Sequence, residues 1–172
     1  MAESSSSQEI TFRLSRSRQT TPRARAALNA VLDSWNLDPT LLQDAELVLS
    51  ELVTNAVRAR APRDRQVGIR IVRMPAEGTL RLEVSDAGEG RPELRTPDDQ
   101  DTGGRGLMLV DAIAERWGVK QRVGGIGKTV WADLKAENHF ATKVDGGDGS
   151  WVGRSREPGG HQAAMAVSAK FS

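Results

Sequence analysis

Between Asp44 and Arg58 apolar residues return every three or four positions, at Ala45, Val48, Leu49, Leu52, Val53 and Ala56. That spacing lines one stripe of a helix, and no residue in the stretch breaks it. Asp38-Pro39 supplies the start, a capping side chain before a first-turn proline, and Ala61-Pro62 the stop, which predicts a helix running to about Arg60. Upstream, Ile10, Phe12 and Leu14 alternate with polar residues as in a half-buried strand. Thr21-Pro22 opens another helix, whose stripe of Ala24, Ala27, Leu28, Val31 and Leu32 ends near Trp35. Downstream, Val67, Ile69 and Ile71, then Leu80, Leu82 and Val84, alternate as the two strands of a hairpin about a turn from Met74 to Gly78. Gly106 to Trp117 reads as a third helix, and Val119–Val123 with Thr129–Leu134 as a second hairpin about Gly124-Gly125-Ile126-Gly127.

The predicted order is strand, helix, helix, hairpin, loop, helix, hairpin. Two hairpins make a mixed, mostly antiparallel sheet, and three amphipathic helices must cover one face of it. The fold class is therefore α+β, a two-layer α/β sandwich with its other sheet face polar. Residues 1–9 and 136–172 read as disordered tails, the first Ser-rich and the second Gly-rich without a period, which leaves one domain over residues 10–135. Residues 91–104 are rich in Pro, Asp and Gly and nearly devoid of apolar side chains, a long loop of the kind that is functional or disordered. Trp35, Trp117 and Trp131 are expected in the core rather than as platforms for a ligand.

Charge and composition narrow the chemistry. Lys+Arg 24 against Asp+Glu 23 gives a net charge of +1, so no global field favours nucleic acid or an anionic membrane. An acid-free run of arginines, Arg13, Arg16, Arg18, Arg23 and Arg25, is either a solvated arm or a partner-binding patch. The chain has no cysteine, which excludes disulfides, thiol catalysis and thiolate metal sites. Its two histidines, His139 and His161, lie in the Gly-rich tail, which argues against a His-based catalytic centre and against a structural zinc site. No secretory leader or bilayer-length apolar run is legible, so a cytoplasmic location is expected, without membrane or direct nucleic-acid contact.

Two familiar nucleotide motifs fail. Gly127-Lys128-Thr129 lacks the glycine five residues upstream that a P-loop needs, since that position is Arg122, and the segment after it is strand-like. Neither glycine cluster gives a dinucleotide fingerprint between strand and helix. A different set remains. Glu51 and Asn55 stack one helical turn apart at the border of the apolar stripe, where they are either a solvated flank or a carboxylate and amide aimed into a crevice. Asp86 ends a strand beside Gly88 and Gly90, which makes it either a simple turn or an acceptor for an exocyclic amine with flat backbone alongside. Gly103-Gly104-Arg105-Gly106 opens a helix, where free N–H groups favour phosphate.

In this order and spacing, Glu51-Leu52-Val53-Thr54-Asn55-Ala56, Asp86-Ala87-Gly88-Glu89-Gly90, Gly103-Gly104-Arg105-Gly106-Leu107 and Gly127-Lys128-Thr129-Val130 resemble the ATP-binding domain shared by sensor histidine kinases, gyrase, Hsp90-type chaperones and MutL-type repair proteins. Within that GHKL superfamily the chain is most similar to the stand-alone anti-sigma-factor serine kinases. The resemblance implies the Bergerat-type ATP-binding fold, ATP or ADP as ligand and Mg²⁺ held through Asn55. It implies Glu51 as general base and Asp86 as the adenine contact, supported by Thr129. Gly88 and Gly90 would pass the base, residues 91–103 would form a lid, and Gly104, Arg105, Gly106 and Leu107 would complete the ATP site. Arg23 or Arg25 would meet a sigma factor or a STAS-type anti-anti-sigma protein, and a homodimer fits the same group. The family often carries a histidine shortly after the Asn, and here Val57-Arg58-Ala59-Arg60 has none. The expected function is an ATP-binding anti-sigma factor with serine kinase activity; the alternative is an ATP-dependent binding module without significant phosphotransfer.

Overall fold

The computed structural model describes residues 6–62, 64–88, 105–124 and 126–136. The chain divides into the units Met1–Thr142 and Lys143–Ser172, and every described residue lies in the first. The elements are β1 (Gln8–Ser15), α1 (Thr20–Ser34), α2 (Pro39–Arg58), β2 (Gln66–Met74), β3 (Thr79–Asp86), α3 (Arg105–Ile113), β4 (Arg116–Gln121) and β5 (Lys128–Lys135). The five strands form one sheet in the order β1-β2-β3-β5-β4, and all four pairings are antiparallel.

The core lies between this sheet and its helices. Val67, Ile69 and Ile71 of β2, Leu80, Leu82 and Val84 of β3, and Val130, Ala132 and Leu134 of β5 are buried at alternate positions. They meet the stripe of α2, of which Ala45, Val48, Leu49, Leu52, Val53 and Ala56 are all buried. Each large side chain taken from water there stabilises the fold by roughly 1.5–3 kcal/mol. α2 is the central helix, packed on α1, α3, β2, β3 and β5. Its start is the expected one: Asp38 Oδ1 accepts the Thr40 N–H at 2.6 Å ahead of Pro39.

The outer face of the sheet is polar and ionic. Arg81 donates to Asp133 Oδ1 and Oδ2 at 2.6 and 2.8 Å, and Arg116 adds a bond to Oδ2 at 2.9 Å, so a carboxylate with no exposed surface is met by two guanidinium groups. Arg70 bridges Glu9 at 2.7 Å and Glu83 at 3.1 Å, and its hydrogen bond holds the Glu9 carboxyl below the usual carboxylate range.

Four local expectations need correction. α1 begins at Thr20 rather than after a Thr21 cap, because the buried Thr20 hydroxyl accepts the Ser17 N–H at 2.8 Å and donates to the Ser15 carbonyl at 2.7 Å. β1 begins at Gln8, pairing with Arg73, and Ile10 is 42% exposed on this edge strand. α3 stops at Ile113, because Arg116 and Trp117 pair with Asp133 and Ala132 as the start of β4. There the Trp117 indole N–H donates to Asp111 at 2.8 Å, and strand pairing overrides the helical period. Trp35 and Trp117 pack against the core as expected, but Trp131 faces the outer side of β5, with the Arg81 guanidinium 4.7 Å from its ring centroid.

Candidate functional site

The expected site residues gather around one end of α2. Glu51 and Asn55 stand half-buried one turn apart near its C-terminal end. That end is held from a distance: Arg16, in the link between β1 and α1, donates to the carbonyls of Val57 at 2.7 Å and Ala61 at 2.9 Å and also bonds that of Ala59. Val57 and the cap residue Ala59 offer carbonyls that a helix terminus leaves without intrahelical partners, Ala61 lies just beyond them, and a cation is favoured there by the helix dipole.

β3 delivers Asp86 to the same place. It follows Leu80, Leu82 and Val84 on the helix-facing side of the sheet and is 3% exposed. A buried carboxylate must be paired or hydrogen-bonded. Here Oδ1 accepts the Gly88 N–H at 2.7 Å and the Lys128 ammonium at 3.1 Å, and Gly88 packs against Ala59 beyond the end of α2. The strand after the β4–β5 turn is pressed onto the same spot. Gly127 has φ +82°, and a Cβ there would lie 2.0 Å from the Asp86 carbonyl oxygen, so only glycine fits against that peptide.

Thr129 falls elsewhere. β5 pairs with β3 so that Lys128 lies opposite Asp86 and Thr129 opposite Ser85. Alternation puts Thr129 on the outer face, where its hydroxyl bonds that of Ser85 at 2.7 Å, and the group that meets Asp86 is Lys128. In the sequence Lys128 stands within the Gly127-Lys128-Thr129-Val130 motif, but the resemblance assigns a role to Thr129 and none to Lys128. Its place was recoverable by counting back in steps of two from the buried Leu134, Ala132 and Val130. Arg16 carried no such signal, because its partners are backbone carbonyls 41 to 45 residues away.

The third piece is the start of α3. A Cβ on Gly106 would lie 2.1 Å from Glu51 Oε2, so the first turn of this helix sits directly on the Glu51 carboxylate. Its free N–H groups and the positive end of its dipole suit an anion. Leu107 is buried behind it. The structure thus sets the end of β3, with Asp86 and Gly88, and the start of α3, with Gly106 and Leu107, each against α2, which carries Glu51 and Asn55. Arg105 opens α3; Gly90, Gly104 and the expected lid at 91–103 lie outside the described residues, as does the tail from 137. Arg23 and Arg25 are exposed on α1.

Among the described residues no group of three or more His, Asp or Glu is assembled that could hold a metal unaided. Mg²⁺ characteristically takes one or two protein oxygens and completes its shell from water and phosphates. The Asn55 amide, half-buried a turn from the Glu51 carboxylate against which α3 starts, suits that manner of binding. No helix among the described residues is long and apolar enough to cross a membrane.

Comparison with known proteins shows the family and the fold. A profile of the histidine kinase-like ATPase domain matches residues 14–134, most of the chain, and the protein belongs to that family of ATP-binding domains. No curated protein matches it. Among solved structures, the RsbU and RsbW domains of Rv1364c from Mycobacterium tuberculosis share the fold at TM-score 0.55 and 20% identity, covering 74% of this chain and 32% of that one. The chain thus spans about a third of that longer protein. The SiaB–SiaC complex from Pseudomonas aeruginosa matches at TM-score 0.46 and 13% identity, over 73% of this chain and 89% of that one. The histidine kinase domain of a blue-light activated kinase from Erythrobacter litoralis EL346 matches at 0.42 and 24%, over 67% and 63%.

Proposed function

We propose that the protein is an ATP-binding anti-sigma factor with serine kinase activity toward a STAS-type anti-anti-sigma partner. The observation that carries this reading is the buried Asp86 carboxylate at the end of β3, set beside the helix that bears Glu51 and Asn55. The match to the RsbU and RsbW domains of Rv1364c supports the choice within the family through its fold.

In this reading Asp86 accepts a hydrogen bond from the exocyclic amine of adenine, and the chain at Gly88 passes beside the base. The first turn of α3, at Gly106, holds the phosphates with its N–H groups. Asn55 would hold Mg²⁺ through its amide oxygen, and the ion, when bound, neutralises charge on the phosphates. Glu51 takes the proton from the substrate serine as its Oγ bonds to the γ-phosphorus. The bond from that phosphorus to the β,γ-bridging oxygen breaks, and ADP leaves with the electron pair. The exposed Arg23 and Arg25 on α1 offer the protein partner a basic patch.

The test is incubation of the full chain with γ-labelled ATP, Mg²⁺ and STAS-type proteins from the same genome. Label on a serine of one of them is the expected result. Binding of ATP with no transfer to any of them would instead favour a nucleotide-dependent binding module, and a folded protein that binds neither ATP nor ADP would overturn the reading.

A further inference from the structure

Lys128 is 7% exposed, and its ammonium meets Asp86 Oδ1 at 3.1 Å. An ammonium carries three donors. Among the described residues it spends one, on that oxygen, which also takes the Gly88 N–H. With Oδ1 shared by two donors, the acceptor capacity left to the carboxylate is centred on Oδ2. The β3–β5 register prevents either side chain from turning to the outer face, since Asp86 shares its face with Val84 and Lys128 with Val130. Donors left unspent on a buried cation are costly unless water or a ligand takes them, and a ligand that displaces the water must offer an acceptor in its place.

We propose that Lys128 is a base-reading residue, its ammonium donating to a ring nitrogen of the purine while Asp86 Oδ2 accepts from the neighbouring exocyclic amine. Adenine carries the matching pair on either side of its 6-amino group, with N1 on one edge and N7 on the other as acceptors. The inference rests on the adenine-nucleotide reading given above and assigns the specificity of that site. Lys128 then does more than neutralise Asp86: it makes the site select a donor with an acceptor beside it, where a carboxylate alone selects only a donor.

The experiment is calorimetric titration of wild type and Lys128→Met with ATP, 1-deaza-ATP and 7-deaza-ATP, each of which keeps the amine and removes one ring nitrogen. Wild type is expected to lose about 10- to 100-fold in affinity on one analogue, the range of a charge-assisted hydrogen bond. Lys128→Met should bind ATP more weakly and treat ATP and that analogue alike. The other analogue should track ATP in both proteins. An analogue penalty that persists undiminished in Lys128→Met would overturn the inference, because a counter-ion lost from Asp86 weakens all three ligands equally. Wild type binding both analogues as tightly as ATP would overturn it without any variant, so a Lys128→Met protein that fails to fold leaves the decision to the wild-type series. Lys128→Gln, with a neutral donor, should then retain part of the discrimination. A folded wild type that binds none of the three nucleotides is a separate result and overturns the adenine reading itself.

Discussion

The backbone of Gly106 lies against the Glu51 carboxylate so closely that a methyl group on Gly106 would stand 2.1 Å from Glu51 Oε2 and 3.0 Å from its Cδ. The start of α3 and the flank of α2 therefore occupy one another's space at the atoms proposed to do chemistry. The obstructing atoms are the end of a flexible side chain, which can swing aside. Gly106→Ala should leave stability within about 1 kcal/mol of wild type, since alanine is also the better helix former. The displaced carboxylate should nevertheless slow phosphotransfer at least tenfold. Thermal melts beside single-turnover rates check this, and a variant that loses stability and activity together would mean that α3 itself had moved.

Arg16 ties the chain before α1 to the carbonyls of Val57, Ala59 and Ala61, and Ala59 is what Gly88 rests on. Removing the guanidinium strands several carbonyls at once at the end of α2. Arg16→Ala should cost about 2–3 kcal/mol, near the upper end for one charged hydrogen-bonding group. It should also weaken nucleotide binding, because the seat of Asp86 and Gly88 loosens. Denaturant melts and calorimetry read both effects. Wild-type affinity in the variant would show that the clamp and the site are independent.

On the outer face, Asp133 has no exposed surface and is held by Arg81 and by the more exposed Arg116. Removing Arg81 leaves the buried Asp133 charge to Arg116 alone, the more exposed and single-bonded of its two partners, and an under-compensated buried charge is costly. Arg81→Met should therefore cost about 3 kcal/mol, measured by urea denaturation. The double variant with Asp133→Asn should recover much of that loss, because the buried charge goes with its partner. A double variant as unstable as the single one would show that packing over Trp131 accounts for the cost.

Much of this architecture was legible from alternation and helical period alone. The stripe of α2, the strands through Ile69, Leu82 and Val130, and the Asp38-Pro39 start are local signals that tertiary packing reinforces. The misreadings arose where a long-range partner decided. Trp117 fits a helical stripe, yet pairing with β5 places it in a strand. Trp131 is large and apolar, yet its parity sets it outside under Arg81. At the site, residue type and spacing leave Glu51, Asn55 and Asp86 open between a solvated flank, a simple turn and a crevice. It is the resemblance of the four motifs, taken in order, that singles them out. Thr129 is a support for Asp86 only by resemblance, and strand parity, which alternates faces between adjacent residues, sets its hydroxyl on Ser85 and Lys128 on Asp86.

The pairing of Glu51 and Asn55 yields the test that separates kinase from binding module. They stand one turn apart on α2, both half-buried, with the first turn of α3 against the carboxylate. If Asn55 supplies an amide oxygen to the ion that accompanies the nucleotide, the terminal phosphate lies within reach of Glu51. Asn55→Ala should then abolish Mg²⁺-dependent nucleotide binding, while Glu51→Ala should leave affinity nearly intact and slow phosphotransfer by roughly 10²–10⁴-fold. The neighbours would fail differently, one in affinity and one in chemistry. A solvated helix flank predicts neither failure. ATP affinity and single-turnover phosphorylation of a serine substrate, measured for both variants, make the comparison. Glu51→Ala transferring phosphate at the wild-type rate would remove Glu51 as the base and leave Asn55 and Asp86 as parts of a site that binds without reacting.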